Sequence, residues 1–205
     1  MKEITEIKKI GKGLRYSLYL DGEFFGVYEA EILARHCLKT GEKFDDEFFD
    51  KLRLENGDYA CFNRGLTLLE KGMKSEKMLR DYLRGKGYPK ESIDKATDKL
   101  KEYGYIDDES FCESYISSYR TKSKKRLKYD LLSKGIKEEI IEEKLAEVYS
   151  EEDEQENLFM QAERYMRAKE FDLKTKQKFY NHFASKGFGS GMILSTWEKI
   201  KNDRA

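Results

Sequence analysis

Along residues 79–100, LRDYLRGKGYPKESIDKATDKL, apolar side chains recur at Leu79, Leu83, Ile93 and Leu100, and Gly87 separates the two pairs. The arrangement returns forty-eight residues later in LKYDLLSKGIKEEIIEEKLAEV (127–148), at Leu127, Leu131, Gly135, Ile141 and Val148. Leucines four apart form one helical stripe, glycine closes that helix in a left-handed turn, and isoleucine opens the next stripe. Pro89 falls near the first turn of the following helix, where a missing N–H costs little. A third copy, FYNHFASKGFGSGMILSTWEKI (179–200), sets Phe179, Phe183, Lys186, Gly187, Ile193 and Ile200 on the same frame. One more helical stretch precedes each copy: YACFNRGLTLLEKG (59–72), ESFCESYISSYR (109–120) and ENLFMQAERYMRA (156–168). The pattern predicts a three-helix unit used three times, over residues 57–106, 107–150 and 151–205. Such units cannot bury their apolar faces fully alone, so they are expected to stack or chain into an elongated body. At the junction YGYIDDESF (103–111), Gly104 should stop a helix, Tyr105 and Ile106 should pack, and Asp107 should cap the next helix. The acidic SEEDEQEN (150–157) reads as a solvated helix start.

The front of the chain follows a period of two. EITEIKKI alternates, and LRYSLYL, Asp21-Gly22 and EFFGVYE form a hairpin pattern around a type I′ turn. Gly11 and Gly13 separate the first strand from the second. Three short strands need a cover, and EAEILARHCL (29–38) supplies an amphipathic helix with Ile32, Leu33 and Leu38 toward the sheet. Gly41 is expected to close that helix, and Asp45 or Asp46 to cap the next, DDEFFDKLRLE. Residues 1–56 are therefore predicted to be a small β-hairpin and helix domain. The fold class is mainly α.

Composition sharpens this picture. Hydrophobic residues make up 39% of the 205-residue chain and charged ones another 39%, a thin apolar supply for a sphere. Aromatic residues at 13% argue against a disordered chain. A single proline among much Lys, Glu and Leu fits a helical protein. Cys37, Cys61 and Cys112 show neither zinc-site nor disulfide spacing and read as reduced thiols in half-buried helix positions. No signal peptide or membrane-spanning run is evident, which points to the cytoplasm.

The charges cancel overall, 40 basic against 40 acidic, yet they are sorted by helix. Lys71–Lys90 carries a local balance of +5, Arg120–Lys137 of +7, and Glu138–Glu156 of −9. Charged faces of this kind keep a thin-cored helical rod soluble. They also suit a stripe facing phosphate or acidic protein. RTKSKKRLK (120–128) is the strongest candidate, with Tyr115, Tyr119 and Tyr129 nearby; such tyrosines are more often core or rim residues than rings that stack on bases. Cations at a helix start oppose its dipole, a small cost that hints at use.

Catalytic chemistry is harder to find. His36 and His182 have no Cys, Asp or second His at metal-ligand spacing. The pairs Asp45-Asp46 and Asp107-Asp108 immediately precede helical stripes, where acidic caps are expected, so a Mg²⁺ site is the weaker reading. GKGLR and GFGSG lack the P-loop pattern. No Ser/His/Asp or Cys/His constellation presents itself. The sequence reads as a non-enzyme with no cofactor and no metal.

SEKMLRDYLRGKG (75–87), GYIDDESF (104–111) and LLSKGI (131–136) resemble the signature stretches of the RecX regulatory proteins of bacteria. LYLDGEFFGVYEAEIL (18–33) and LKTGEKFDDEFF (38–49) are similar to the β-containing front end of the longer members. The likeness covers nearly the whole chain, and FASKGFGSG in the third unit departs from the usual pattern. The resemblance implies tandem three-helix units in a curved, elongated body. Separately, the protein is expected to be a monomer. The resemblance also implies a partner, the RecA recombinase filament on single-stranded DNA, in whose groove family members lie. There it would inhibit or reshape ATP hydrolysis and strand exchange in recombination and DNA repair, with weak, non-specific DNA binding. A stand-alone helical DNA-binding protein is the alternative. No family motif assigns the contact residues. Leu79, Leu83, Leu131, Ile136, Gly87 and Gly135 look structural, and the contact candidates rest on charge: Lys74, Lys77, Arg80, Arg84, Arg120, Lys122, Lys124, Lys125, Arg126 and Lys128.

Overall fold

A computed structural model describes residues 1–204. Among them the chain forms β1 (Lys2–Lys9), β2 (Arg15–Leu20), β3 (Glu23–Glu29), α1 (Ala30–Arg35), β4 (Lys43–Phe44), α2 (Asp46–Leu69), α3 (Glu76–Gly85) and α4 (Lys90–Glu102). There follow α5 (Asp108–Ser118), α6 (Lys124–Ser133), α7 (Glu138–Val148), α8 (Glu151–Met166), α9 (Leu173–Ser185) and α10 (Ser190–Asn202). The fold is mainly helical behind a small antiparallel sheet, as the periodicities predict. Two compact units partition the chain: residues 1–73 with 79–106, and residues 74–78 with 107 onward.

In the first unit the sheet runs β3-β2-β1-β4, four strands where the alternation marks three. The extra strand is the two-residue β4, pairing Lys2 with Phe44 and Glu3 with Lys43. The Asp21-Gly22 turn has positive φ at both residues, 49° and 86°, as a type I′ hairpin requires. Ile4, Leu18, Ile32, Leu33, Leu38, Phe49 and Leu52 close a core between sheet, α1 and the start of α2. Helix α1 is shorter than predicted; the chain turns at Cys37 (φ 51°), before Gly41 is reached. The two helical stretches expected either side of residue 56 are one helix, α2. Gly57 lies inside it, half-buried, with open space where a side chain would be. A mid-helix glycine costs about 1 kcal/mol against alanine, which packing of α2 on the sheet and on α4 readily offsets.

The repeat frame is visible in burial. Leu79, Leu83 and Leu100 are buried in one core, Leu127, Leu131 and Ile141 in a second, and Phe179, Phe183, Ile193 and Ile200 in a third. In the second core Val148 is only partly buried, and its neighbour Tyr149 takes the interior position. First helix packs on third in every copy: α2 on α4, α5 on α7, α8 on α10. The glycines close each middle helix identically. Gly87, Gly135 and Gly187 have φ of 85°, 85° and 90°, and their N–H groups donate to Arg84, Leu132 and Ala184 carbonyls at 3.0, 2.9 and 2.9 Å. The next N–H, of Tyr88, Ile136 and Phe188, reaches back to Leu83, Leu131 and Phe183 at 3.4, 3.2 and 3.3 Å. Together these bonds are the Schellman pattern, which satisfies carbonyls that a helix end leaves bare.

Within the second unit a joint recurs. Ser75 Oγ donates to the Lys134 carbonyl (2.6 Å), and the Glu76 N–H donates to Asp108 Oδ1 (2.8 Å). One repeat on, the Ser123 N–H donates to the Lys186 carbonyl (3.2 Å), and the Lys124 N–H to Glu154 Oε1 (2.9 Å). Each middle-helix start thus borrows a carboxylate from the next copy's first helix and leans on its glycine cap.

Several smaller expectations need correcting. Tyr105 is 53% exposed, although Ile106 beside it packs as predicted. Cys61 and Cys112 are fully buried, not half-buried, and Cys37 is exposed outside any helix. The acidic helix start of α8 is mostly solvated and closed by a Ser150/Asp153 capping box, but Glu154 within it is buried. Among the described residues no helix is long and apolar enough to cross a membrane.

Candidate interaction surface

The densest cationic stretch, 120–128, comprises the loop after α5 and the first turns of α6. Ser123 caps α6, its Oγ accepting from the Arg126 N–H at 3.1 Å. Lys124, Lys125 and Arg126 then occupy the first turn with no acidic residue among them. Each cation at the positive end of a helix costs a few tenths of a kcal/mol to about 1. The borrowed Glu154 carboxylate is the local counterweight.

The loop before the helix is tied down from Tyr149, at the end of α7, and from α8. The carbonyl of Arg120 accepts from the Tyr149 hydroxyl (3.0 Å) and the Asn157 amide, and the Thr121 carbonyl accepts from Gln161 (3.2 Å). Lys186 Nζ in turn holds Gln161 Oε1 at 2.6 Å. Backbone fixed at this many points presents its side chains from a defined platform.

Most of the cations are spoken for. Asp130, with only 13% of its side chain exposed, receives Lys122 Nζ at 2.7 Å and Arg126 Nε at 3.1 Å. Burial pushes its carboxyl up, but the hydrogen bond and charge of Lys122, with Arg126 and the Tyr115 hydroxyl, hold it below its ordinary value. Arg120 donates to the Val148 carbonyl at 2.6 Å. Lys128 sits between Glu138 (2.5 Å) and Glu142 (2.7 Å) of α7, which lift it to about 12. The +7 and −9 stretches therefore neutralise one another in part, helix against helix.

The remaining charge-based candidates lie elsewhere. Lys77 Nζ donates to the Ser133 carbonyl at 2.9 Å, and Lys74 is half-buried and engaged. Both belong to the second unit. In the first unit, Arg80 pairs with Asp94, and Arg84 with Asp81 at 2.6 Å. By contrast, the Lys124 and Lys125 ammonium groups form no ion pair or side-chain hydrogen bond among the described residues. Lys125 is exposed and Lys124 half-buried.

Three tyrosines border this turn, and they divide. Tyr115 is held between Phe111 (6.1 Å) and Tyr119 (4.5 Å), with Lys134 Nζ 5.3 Å from its ring centroid. Its role is packing. Tyr119 and Tyr129 are 44% and 66% exposed, Tyr119 with Lys122 Nζ at 4.6 Å and Tyr129 with Arg126 at 5.6 Å from the ring. A surface of free ammonium groups beside exposed phenol rings can bind anionic chains or acidic protein.

The carboxylate pairs serve structure. Asp45 and Asp107 accept from N–H groups at the starts of α2 and α5, Asp46 pairs with Lys2 (2.8 Å), and Asp108 caps α3. No cluster of His, Cys, Asp and Glu among the described residues has the makings of a metal site. Sequence reasoning missed Glu154 and Ser123 as the pieces that secure α6. The only local signal was the Ser150–Asp153 spacing, which marks where α8 begins.

Comparison with known proteins gives a consistent answer. The profile described as RecX, first three-helix domain, matches residues 61–100, and that of the RecX second three-helix domain matches 107–145. The chain is 30% identical over 209 residues to the regulatory protein RecX of Clostridium botulinum (strain Alaska E43 / Type E3), covering 98% of each. It is 32% identical to that of Clostridium perfringens (strain SM101 / Type A), covering 99% of this chain and 98% of the relative. A crystal structure of regulatory protein RecX superposes with a TM-score of 0.69 at 24% identity, covering 98% of this chain and all of the other. RecX from Lactobacillus salivarius gives 0.62 at 23% identity, over 72% of this chain and 98% of the other. These two likenesses speak for the fold.

Proposed function

The chain belongs to the RecX family of regulatory proteins, and from that premise we propose that it binds the RecA recombinase filament on single-stranded DNA and restrains its ATP hydrolysis and strand exchange. The observation that carries this is full-length identity of about 30% with relatives named as RecX regulatory proteins. The protein acts by binding rather than by catalysis, in the cytoplasm, as a monomer. Its contact surface is the start of α6, with Lys124 and Lys125 supplying charge, and Tyr119 and Tyr129 supplying apolar area. Any contact with DNA is weak and sequence-indifferent, made by the same cations.

The test is direct. Purified protein is added to RecA filaments on single-stranded DNA while ATP hydrolysis and strand exchange are followed. Both should fall as the protein approaches stoichiometric amounts. Unchanged rates at stoichiometric excess would overturn the proposal. Tight, sequence-dependent binding to duplex without RecA would replace it with a stand-alone DNA-binding role.

A further inference from the structure

The chain matches acids and bases in number, and several of its arginines find a carboxylate: Arg35 with Glu55 at 2.6 Å, Arg84 with Asp81 at 2.6 Å, Arg126 with Asp130 at 3.1 Å. Arg15 and Arg64 do not. Among the described residues no carboxylate lies within ion-pair reach of either. Both line one cleft of about 430 Å³ in the first unit, walled by the β2–β3 hairpin and a face of α2, where the one lining carboxylate, Glu29, is outnumbered by the two arginines.

Arg64 is exposed on α2. The nearby hydroxyls of Tyr88 and Tyr82 favour its charged form, and Tyr88 donates to the Ala60 carbonyl at 3.3 Å. A guanidinium with no carboxylate partner keeps its charge and its donor fork for a ligand, and that fork suits a carboxylate. Opposite it, Leu14 and Val27 are 71% and 41% exposed, apolar area on the same cleft as the two cations.

Strand β3 is the sheet edge beside this cleft, a position that normally invites strand addition. Asn56 of α2 closes it. Its amide nitrogen donates to the Val27 carbonyl (3.1 Å), and its oxygen accepts from the Glu29 N–H (2.9 Å), which reproduces two rungs of a ladder. A ligand therefore meets side chains here, not a free backbone edge.

We propose that this cleft docks an extended, acidic segment of a partner protein, whose carboxylates pair with Arg15 and Arg64 while its apolar side chains cover Leu14 and Val27. This is a second surface, independent of the start of α6. Phosphates of a nucleic acid would satisfy the arginines but leave Leu14 and Val27 bare. Tyr88, the one aromatic residue lining the cleft, already has its hydroxyl engaged.

Fluorescence anisotropy of a fluorescein-labelled decapeptide of alternating glutamate and leucine, titrated with the full chain, tests the proposal. Saturable binding is expected. The double variant Arg15→Glu, Arg64→Glu should weaken it by about tenfold or more, as loss of two charge-assisted contacts implies. Lys124→Glu with Lys125→Glu should leave it unchanged. If circular dichroism shows the double variant misfolded, Arg15→Glu alone, at the exposed start of β2, should still weaken binding several-fold. No binding by the unaltered protein, equal binding by the arginine variants, or better competition by a ten-residue oligothymidine than by unlabelled peptide would each overturn it.

Discussion

Helices α3 and α6 begin on the same joint and carry different charge. Each starts at a buried serine, Ser75 or Ser123, and each gives its first N–H to a carboxylate from the next repeat, Asp108 or Glu154. Yet α3 opens with Glu76, an acid where the dipole favours one, and α6 opens with Lys124, Lys125 and Arg126. The joint asks for a serine and a borrowed carboxylate; in α3 the one first-turn lysine, Lys77, bonds across it to the Ser133 carbonyl, whereas the Lys124 and Lys125 ammonium groups bond to nothing in it. The two free lysines of α6 therefore oppose the local electrostatics without serving the fold. That contrast is the physical ground for placing contact with a partner there.

The comparison can be broken most severely at the shared frame. Leu83 and Leu131 occupy one position in two copies, both fully buried. Replacing either by alanine should cost about 2–5 kcal/mol in urea unfolding. A loss at one site and none at the other would mean that the repeats are alike in sequence only.

The glycine caps sharpen the joint itself. A side-chain carbon on Gly87 would meet nothing within 4 Å, whereas on Gly135 it would lie 2.5 Å from Lys77 Cβ. Gly87→Ala should cost about 1–2 kcal/mol for the left-handed backbone alone. Gly135→Ala should cost about 1–3 kcal/mol more, because it forces the joint apart. Equal melting temperatures for the two variants would remove the joint from the account.

The smallest effect on stability is expected where the functional effect is largest. Lys124→Glu with Lys125→Glu should shift stability by less than about 1 kcal/mol, and toward greater stability, since acids suit a helix start. Association with the recombinase filament should nevertheless weaken. Unaltered association would reduce these lysines to solvating charges.

The repeats were legible because three glycines and their flanking apolar pairs recur at fixed spacing, and each repeat buries a core of its own. The run through residue 56 was not, because Gly57 looks like a breaker in a one-dimensional reading, and α2 survives it through contacts made far along the chain. Two residues, Lys43 and Phe44, leave no alternating trace, so β4 was invisible. The charge clusters were legible as clusters but not as pairs. Lys128 meets Glu138 and Glu142 only once α6 and α7 fold together, and Glu154 reaches the α6 start from thirty residues away. Counting local charge therefore proposed ten contact residues, of which the folded chain leaves Lys124 and Lys125 with unpaired ammonium groups.

The cysteines divide sharply in accessibility, and this has a practical side. Burial pushes the thiols of Cys61 and Cys112 up to about 11, so near neutrality they stay protonated and sealed from solvent. Cys37 stands open on its turn. A maleimide dye will find a single attachment point in the native protein, and binding can be watched by fluorescence without changing one amino acid.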